Sequence, residues 1–336
     1  MSTVVPGRVA GVRFRPSSPA DAAAVHALLL ACYDSDGTQE RETLEDVEEL
    51  FATPWWDPAA DGLVGEDADG RVVAFGTARR RPGQLRTRQS LLHGDVHPQA
   101  RARGVGRALL AWQTARGEEL LRGPGTTEDV PRMLRVFCED HLGDRVRLLR
   151  AAGFEPRRYS ATMRRDLSLP LAPAVPPPNV RLLALPGVVD DLQDAARRAH
   201  NAAFADHWGS EPIEPDDWRR SCVQGPGARP DLSSLALAGD GAVVGYLISG
   251  TYPQDWQAQG FSEGWTDLLG VSAAHRRQGI AKALLLRAMS AYREAGLQQA
   301  GLAVDVDNPR ALRLYAALGY TEHARETSWV RDLSGA

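Results

Sequence analysis

The segment AAGFEPRRYSATMRRDL, residues 151–167, is echoed without a gap by ALGYTEHARETSWVRDL, residues 317–333. Phe154 and Tyr320, like Asp166 and Asp332, are 166 residues apart. Self-similarity at so long a period means two copies of one supersecondary unit rather than one large core. Other stretches recur in the same order. Asp69-Gly70-Arg71-Val72-Val73-Ala74-Phe75 and Asp240-Gly241-Ala242-Val243-Val244-Gly245-Tyr246 each read as a turn followed by a strand. LLHGDVHPQARARGVGRALLAWQTARG and DLLGVSAAHRRQGIAKALLLRAMSAYREAG each read as strand, Gly-containing turn and long helix. Strands alternating with helices, then a final run of strands, imply an α/β fold with a mixed sheet, present twice.

The 336 residues suit two domains of ordinary size. The copies are separated by SLPLAPAVPPPNV, whose five prolines forbid helix and suggest a stiff spacer. We expect domains at 1–167 and 180–336, with a Pro-rich linker at 168–179. Hydrophobic residues at 43% and charged residues at 24% describe a globular chain. The net charge of −4 argues against a nucleic-acid partner. Lys282 is the only lysine, so the arginine excess reads as codon bias. Three widely spaced cysteines, no signal-like start and no long apolar run lead us to expect a cytoplasmic protein with no membrane partner.

Chemistry enters at Arg276-Arg277-Gln278-Gly279-Ile280-Ala281, between a strand ending in Leu269-Gly270-Val271 and a helix whose apolar face is Ile280, Leu284, Ala288 and Tyr292. Small residues there allow backbone N–H groups to approach phosphate oxygens, and the helix start adds positive potential. Alone the pattern could be a plain strand-to-helix turn. It occurs twice, however, each time five residues after a strand valine: Arg101-Ala102-Arg103-Gly104-Val105-Gly106 follows Val96. A dinucleotide fold is not indicated, for want of a third glycine and a downstream acid at the required spacing. Neither a P-loop nor a His-Glu-x-x-His pair is present, and no metal site is expected.

Val271-Ser-Ala-Ala-His-Arg276-Arg-Gln-Gly279-Ile-Ala281, together with Asn308-Pro-Arg-Ala-Leu-Arg-Leu-Tyr315, resembles the paired coenzyme motifs of the GNAT superfamily of N-acetyltransferases. The likeness spans nearly all of 180–334. It is weaker over 11–167, where only the first motif is kept. It implies two tandem GNAT folds, each a mixed, splayed β-sheet flanked by helices, with acetyl-CoA as cosubstrate. It implies a coenzyme arm along Leu269 and Val271, pyrophosphate held from Arg276 to Lys282, Asn308 on the arm and Tyr315 near the thioester sulfur. Carried to the first copy, it implicates Val96, Arg101, Arg103, Gly104, Val105, Gly106 and Arg107.

Acetyl transfer to an amine needs a base for the ammonium and benefits from an acid for the leaving thiolate. Tyr315 suits the acid, although Ala311, Leu312 and Leu318 also allow it to be a core residue of its helix. For the base, the position where many GNAT enzymes carry glutamate is Trp265. Asp267 and then Glu263 share its strand parity, and an ion pair or a solvated strand end is the alternative for each. Trp265 and Trp208 are expected beside a small-molecule amine, and Tyr252, Trp256, Phe261 and Trp265 are expected to form an aromatic lip, with loop packing as the alternative. In the first copy Leu142 and Leu149 stand where Asn308 and Tyr315 stand, so that copy is expected not to turn over. A coenzyme sensor or a bare scaffold are the competing readings.

Overall fold

The computed structural model describes residues 3–84, 86–122, 130–185, 190–204 and 212–334. The chain divides into two compact units, Met1–Tyr159 with Arg325–Ala336, and Ser160–Ala324.

In the first repeat the strands are β1 (Arg13–Pro16), β2 (Gly62–Glu66), β3 (Val72–Arg79), β4 (Arg88–Val96), β5 (Arg132–Glu139) and β6 (Glu155–Asp166). Its helices are α1 (Ala22–Asp36), α2 (Leu44–Phe51), α3 (Pro58–Asp61), α4 (Val105–Arg122) and α5 (Gly143–Ala151). The second repeat has β7 (Val180–Ala184), β8 (Ser234–Ala238), β9 (Val243–Gly250), β10 (Glu263–Val271), β11 (Gln299–Asp305) and β12 (Thr321–Asp332). Its helices are α6 (Asp190–Ala203), α7 (Pro215–Arg219), α8 (Pro253–Gln259), α9 (Ile280–Glu294) and α10 (Pro309–Ala317).

The final strand of each repeat lies in the sheet of the other. β6 pairs antiparallel with β11, from Ser160 opposite Asp305 to Asp166 opposite Gln299. β12 pairs antiparallel with β5, from Glu326 opposite Glu139 to Asp332 opposite Met133. The strand order is thus β1-β2-β3-β4-β5-β12 in the first unit and β6-β11-β10-β9-β8-β7 in the second. This corrects the boundaries expected from sequence, 1–167 and 180–336. Those boundaries followed the repeat, whereas compactness follows strand pairing. The Pro-rich segment is also more than a spacer, since Leu171 and Ala174 pack against the core of the second unit.

α9 shows how pattern becomes packing: Ile280, Leu284, Ala288 and Tyr292, at helical spacing, are all buried. They meet Leu247, Ala300, Leu302 and Val304 of the sheet, together with Tyr315 and Tyr320, in one core. Gly245 and Gly264 let this helix sit close. A Cβ on Gly245 would lie 2.9 Å from Ile280, and one on Gly264 would lie 2.5 Å from the Tyr292 ring.

Because β11 takes its outer partner from the first repeat, a fragment spanning 168–336 should fail to fold. A fragment spanning 155–336 should keep a folded second unit. Amide NMR dispersion of the two checks this, and a well-dispersed 168–336 spectrum would overturn the exchanged-strand account.

Candidate active site

β10 and β11 run parallel and pair over only four residues, from Glu263 opposite Gln299 to Thr266 opposite Leu302. Beyond that point β10 continues with β9 and β11 continues with β6, so the two strands part. The parting coincides with a register shift between Thr266 and Leu268 against β9, which leaves Asp267 as the extra residue of a bulge. Bulges re-aim side chains. Trp265 stands opposite Gly250 on one side and Gly301 on the other, and both glycines leave room on that face. A Cβ on Gly250 would come within 2.8 Å of Asp267 Oδ2, and one on Gly301 within 2.4 Å of Glu263 Oε1 and 2.5 Å of Trp265. Glu263, Trp265 and Asp267 therefore share one face at the start of the wedge.

The two acids on that face differ. Glu263 is buried and ion-paired, with Arg164 Nε donating to its Oε1 at 2.8 Å, and burial pushes its carboxyl up in spite of that partner. Of the two readings of Glu263, the ion pair is the one observed. Asp267 is open to solvent at the mouth of the wedge, and its one described hydrogen bond comes from the Tyr252 hydroxyl at 2.8 Å. The surrounding protein desolvates it enough to raise its pKa to about 6, against the opposing pull of Tyr252. Tyr252 is itself held by two glycines, its ring 2.9 Å from a Cβ placed on Gly227 and its hydroxyl 2.9 Å from one placed on Gly250.

The loop after β10 supplies the anion cradle. Arg276 Nε donates to the Val271 carbonyl at 3.2 Å, which ties the loop to the strand end. Arg277 and Gly279 have φ of 65° and 86° and turn successive N–H groups outward. Gly279 is the N-cap of the 15-residue α9, with no side chain capping the helix start, so that its N–H groups remain for a ligand. Arg276, Arg277, Gln278 and Lys282 are exposed around them, and only Ile280 turns inward. Two or more positive side chains and a free helix start fit a pyrophosphate.

After β11, Asn308 caps α10, its Oδ1 accepting from Ala311 N at 3.1 Å, and its amide nitrogen has no described partner. Tyr315 is buried in the second core, 5.9 Å from the Tyr320 ring, and its hydroxyl has no described partner. Burial pushes it up to about 12. It is thus both a core residue and a free phenol. The aromatic lip is not formed as expected. Tyr252 bonds Asp267, whereas Trp256 packs on the core and Phe261 lies 5.2 Å below the Arg164 guanidinium. Trp208 falls outside the described residues.

The first unit repeats the loop and not the wedge. Arg101 Nε reaches the Val96 carbonyl at 2.8 Å, and Ala102 and Gly104 take φ of 60° and 87° ahead of α4. Val105 is buried and Gly106 packs near Leu148, while Arg103 and Arg107 are exposed. The guanidinium of Arg101, however, is already neutralised by Asp36 at 2.5 and 2.9 Å. β4 and β5 part after Leu91 with no bulge, and their wedge is crossed by a buried ion pair between Asp95 and Arg145, with His93 3.2 Å from Asp95. Burial works against the Asp95 charge, but Arg145 and His93 hold its carboxyl well below the usual range. Leu142 precedes α5, and Leu149 is buried in an all-apolar cluster. Sequence reading missed the Asp95 network. An acid one residue before Val96, where the second repeat has Gly270, is the signal that could have found it.

A parallel pair that splays at a bulge, a loop of positive-φ residues and arginines at a helix start, and a following helix that carries a buried phenol describe the second repeat of a tandem GNAT-type N-acetyltransferase, and the first repeat shares its fold and loop. The Acetyltransferase (GNAT) family profile matches residues 190–320. Mycothiol acetyltransferase of Segniliparus rotundus is 30% identical over 80% of this chain and 94% of its own, and that of Geodermatophilus obscurus is 30% identical over 93% and 95%. Among solved structures, a GCN5-related N-acetyltransferase from Sphaerobacter thermophilus aligns with a TM-score of 0.76 at 23% identity, over 98% of this chain and 99% of that one. A tandem GNAT protein of the clavulanic acid pathway aligns at 0.69 and 17%, over 97% and 99%. The chain belongs to the GNAT acetyltransferase family. No helix among the described residues is long and apolar enough to cross a membrane.

The raised Asp267 pKa gives a signed prediction. The folded carboxyl holds its proton more tightly than an unfolded one near 3.9, so it costs stability as pH rises through about 6. Asp267→Asn should therefore raise Tm at pH 8 and lose that advantage below about pH 4. Tyr252→Phe removes the hydroxyl that opposes the shift, and an NMR titration should show the Asp267 carboxyl moving further up. Unchanged melting and titration would mean that Asp267 is solvated like any surface acid.

Proposed function

We propose that the second repeat alone carries the acetyl transfer and that the acceptor is the primary amine of a small molecule. One observation carries the assignment: the bulged Asp267, restrained by Tyr252, and the buried Tyr315 both belong to the second unit. The equivalent wedge in the first unit is crossed by Asp95–Arg145 and backed by Leu149. The relatives' name, mycothiol acetyltransferase, favours a small acceptor related to mycothiol over a peptide.

Residues from Arg276 to Lys282 would hold the coenzyme pyrophosphate, with Leu269, Val271 and Asn308 along its arm. Acetyl-CoA supplies an activated acyl thioester when bound. Asp267, ionised above about pH 6, takes the proton that an ammonium must lose before its nitrogen can attack a carbonyl. Trp265 walls the acceptor side. Tyr315, like any phenol, is protonated at physiological pH, and burial makes it a weaker acid still, so its hydroxyl is the donor to the departing sulfur. Its pKa exceeds that of a thiol near 8.5, so it acts chiefly as a hydrogen-bond donor that stabilises developing negative charge. Glu263 holds β10 in place through Arg164 rather than moving protons.

On this reading Tyr315→Phe lowers kcat by about 10- to 10⁴-fold with little change in acetyl-CoA affinity. Thiol release over a panel of amines, with calorimetry for the coenzyme, measures both, and unchanged turnover would reject Tyr315 as the donor. The low-pH limb of kcat/KM should fall near 6 and move to higher pH in Tyr252→Phe.

Gly279→Glu and Gly104→Glu form a matched pair, since both glycines have nearly the same positive φ and neither Cβ would clash, with nothing within 4 Å at Gly279 and only Val9 at 3.8 Å at Gly104. Backbone strain is common to the two variants. Only Gly279→Glu should abolish turnover, through negative charge in the working loop, and a folded Gly279→Glu protein with full activity would move catalysis to the first repeat.

A further inference from the structure

In the first unit, away from both loops, α1 and α2 bridge the sheet over a cavity of about 130 Å³. Its apolar wall comes from Val25 and Leu29 of α1, Val47 and Leu50 of α2, and Phe75 of β3. A dry cavity of about 150 Å³ holds the six heavy atoms of benzene, so this slightly smaller one, open to solvent at the exposed Glu42, suits an apolar portion of up to roughly that size with a polar end at its mouth.

The polar lining is unbalanced in a way that points to a ligand. Arg79, the last residue of β3, lines the cavity with its Nε buried and without a hydrogen-bond acceptor among the described residues. Desolvation presses against its charge, Arg81 adds to that, and Glu42 opposes both. Facing it are Glu42, from the α1–α2 connection, and Asp46, at the start of α2. Each is partly used: the Tyr33 hydroxyl donates to Glu42 Oε2, and Asp46 Oδ2 accepts from Thr43 N and Oγ1 at 2.7 Å each. The other oxygen of each carboxylate has no described hydrogen bond. His93, the remaining polar wall, is turned to Asp95 at 3.2 Å. A guanidinium with a buried Nε that lacks an acceptor, two half-used anions and a short apolar wall match a small zwitterion. A lone amine would leave Arg79 Nε without an acceptor, and a lone carboxylate would face Glu42 and Asp46 uncompensated.

We propose that this cavity binds a short-chain α-amino acid, with its carboxylate on Arg79, its ammonium toward Glu42 and Asp46, and its side chain against Leu29, Leu50 and Phe75. This proposal rests on the reading that the second repeat is catalytic, because His93 in the cavity wall belongs to β4 and to the Asp95–Arg145 network of the first unit; valine binding is read without turnover, so the two can fail separately.

Calorimetry and thermal melting of the full chain with L-valine test it, with isovalerate and isobutylamine as the analogues lacking one charge each. Valine should bind saturably and raise Tm, with both analogues weaker. Loss of a charge-assisted pair in Arg79→Gln should weaken valine by about tenfold or more while acetyl-CoA affinity is unchanged. Leu50→Trp, at the half-buried edge, fills the cavity without touching a charge and should block valine equally, so the test survives a poorly folded Arg79 variant. Absence of saturable valine binding, wild-type affinity in either folded variant, or isovalerate binding as tightly as valine would overturn the proposal.

Discussion

The wedge of the second unit depends on where β10 leaves β11. Four parallel pairs hold the strands together, and the bulge at Asp267 then turns β10 toward β9 alone. The closed end is fixed by the buried Arg164–Glu263 pair, which reaches across β11 from β6 to β10. Such a pair offers little net stability, because two charges are desolvated to form it. Its geometric value is larger, since a charge left alone there would be costly and the register is thereby specified. Gly250 and Gly301, on either side of Trp265, complete the arrangement by removing the side chains that would otherwise fill the opening.

The two repeats show which parts of this geometry are generic. Both phosphate loops place a left-handed residue and a left-handed glycine ahead of a long helix, and both tie an arginine Nε to the preceding strand's last carbonyl. That construction satisfies the strand-to-helix turn whether or not a ligand is bound. The differences lie in charge: Arg276 shares its guanidinium with backbone carbonyls and stays electropositive, whereas Arg101 is neutralised by Asp36. A phosphate approaching the first loop must compete with a carboxylate already in place.

The fold was legible because periodicity and repetition are local signals. Ile280, Leu284, Ala288 and Tyr292 announced their helix face, and the gapless match at 151–167 and 317–333 announced the duplication. Strand exchange was not legible, since the same sequence serves as the last strand of either sheet and only three-dimensional pairing decides which. At the site, parity correctly suggested that Glu263, Trp265 and Asp267 share a face. What separates the two acids is Arg164, 99 residues away in sequence. Tyr252 was visible as an aromatic residue, but its role comes from two glycines that make room for its ring, and close approach of that kind leaves no periodic trace. Trp256 and Phe261 misled for the complementary reason: an aromatic-rich loop has no period to say which rings face inward.

Strand exchange also explains why the first repeat persists beside a second that holds the acid, the phenol and the open wedge. β6, encoded by the first repeat, is the outer partner of β11 and contributes Arg164 to the pin on Glu263. The next residue, Arg165, donates from Nε to the Leu318 carbonyl at 2.5 Å and from Nη2 to the Pro170 carbonyl at 2.8 Å. Leu318 is the C-cap of α10, the helix that carries Tyr315, so this arginine satisfies a carbonyl that the helix end leaves orphaned. Gly319, at φ of 86°, turns the chain away there and leaves only 3.2 Å between a Cβ and Arg165 Nε. Two consecutive arginines of the first repeat thus support the strand that carries Asp267 and the helix that carries Tyr315. That support comes from the last strand of the first repeat, whose own wedge is crossed by Asp95 and Arg145.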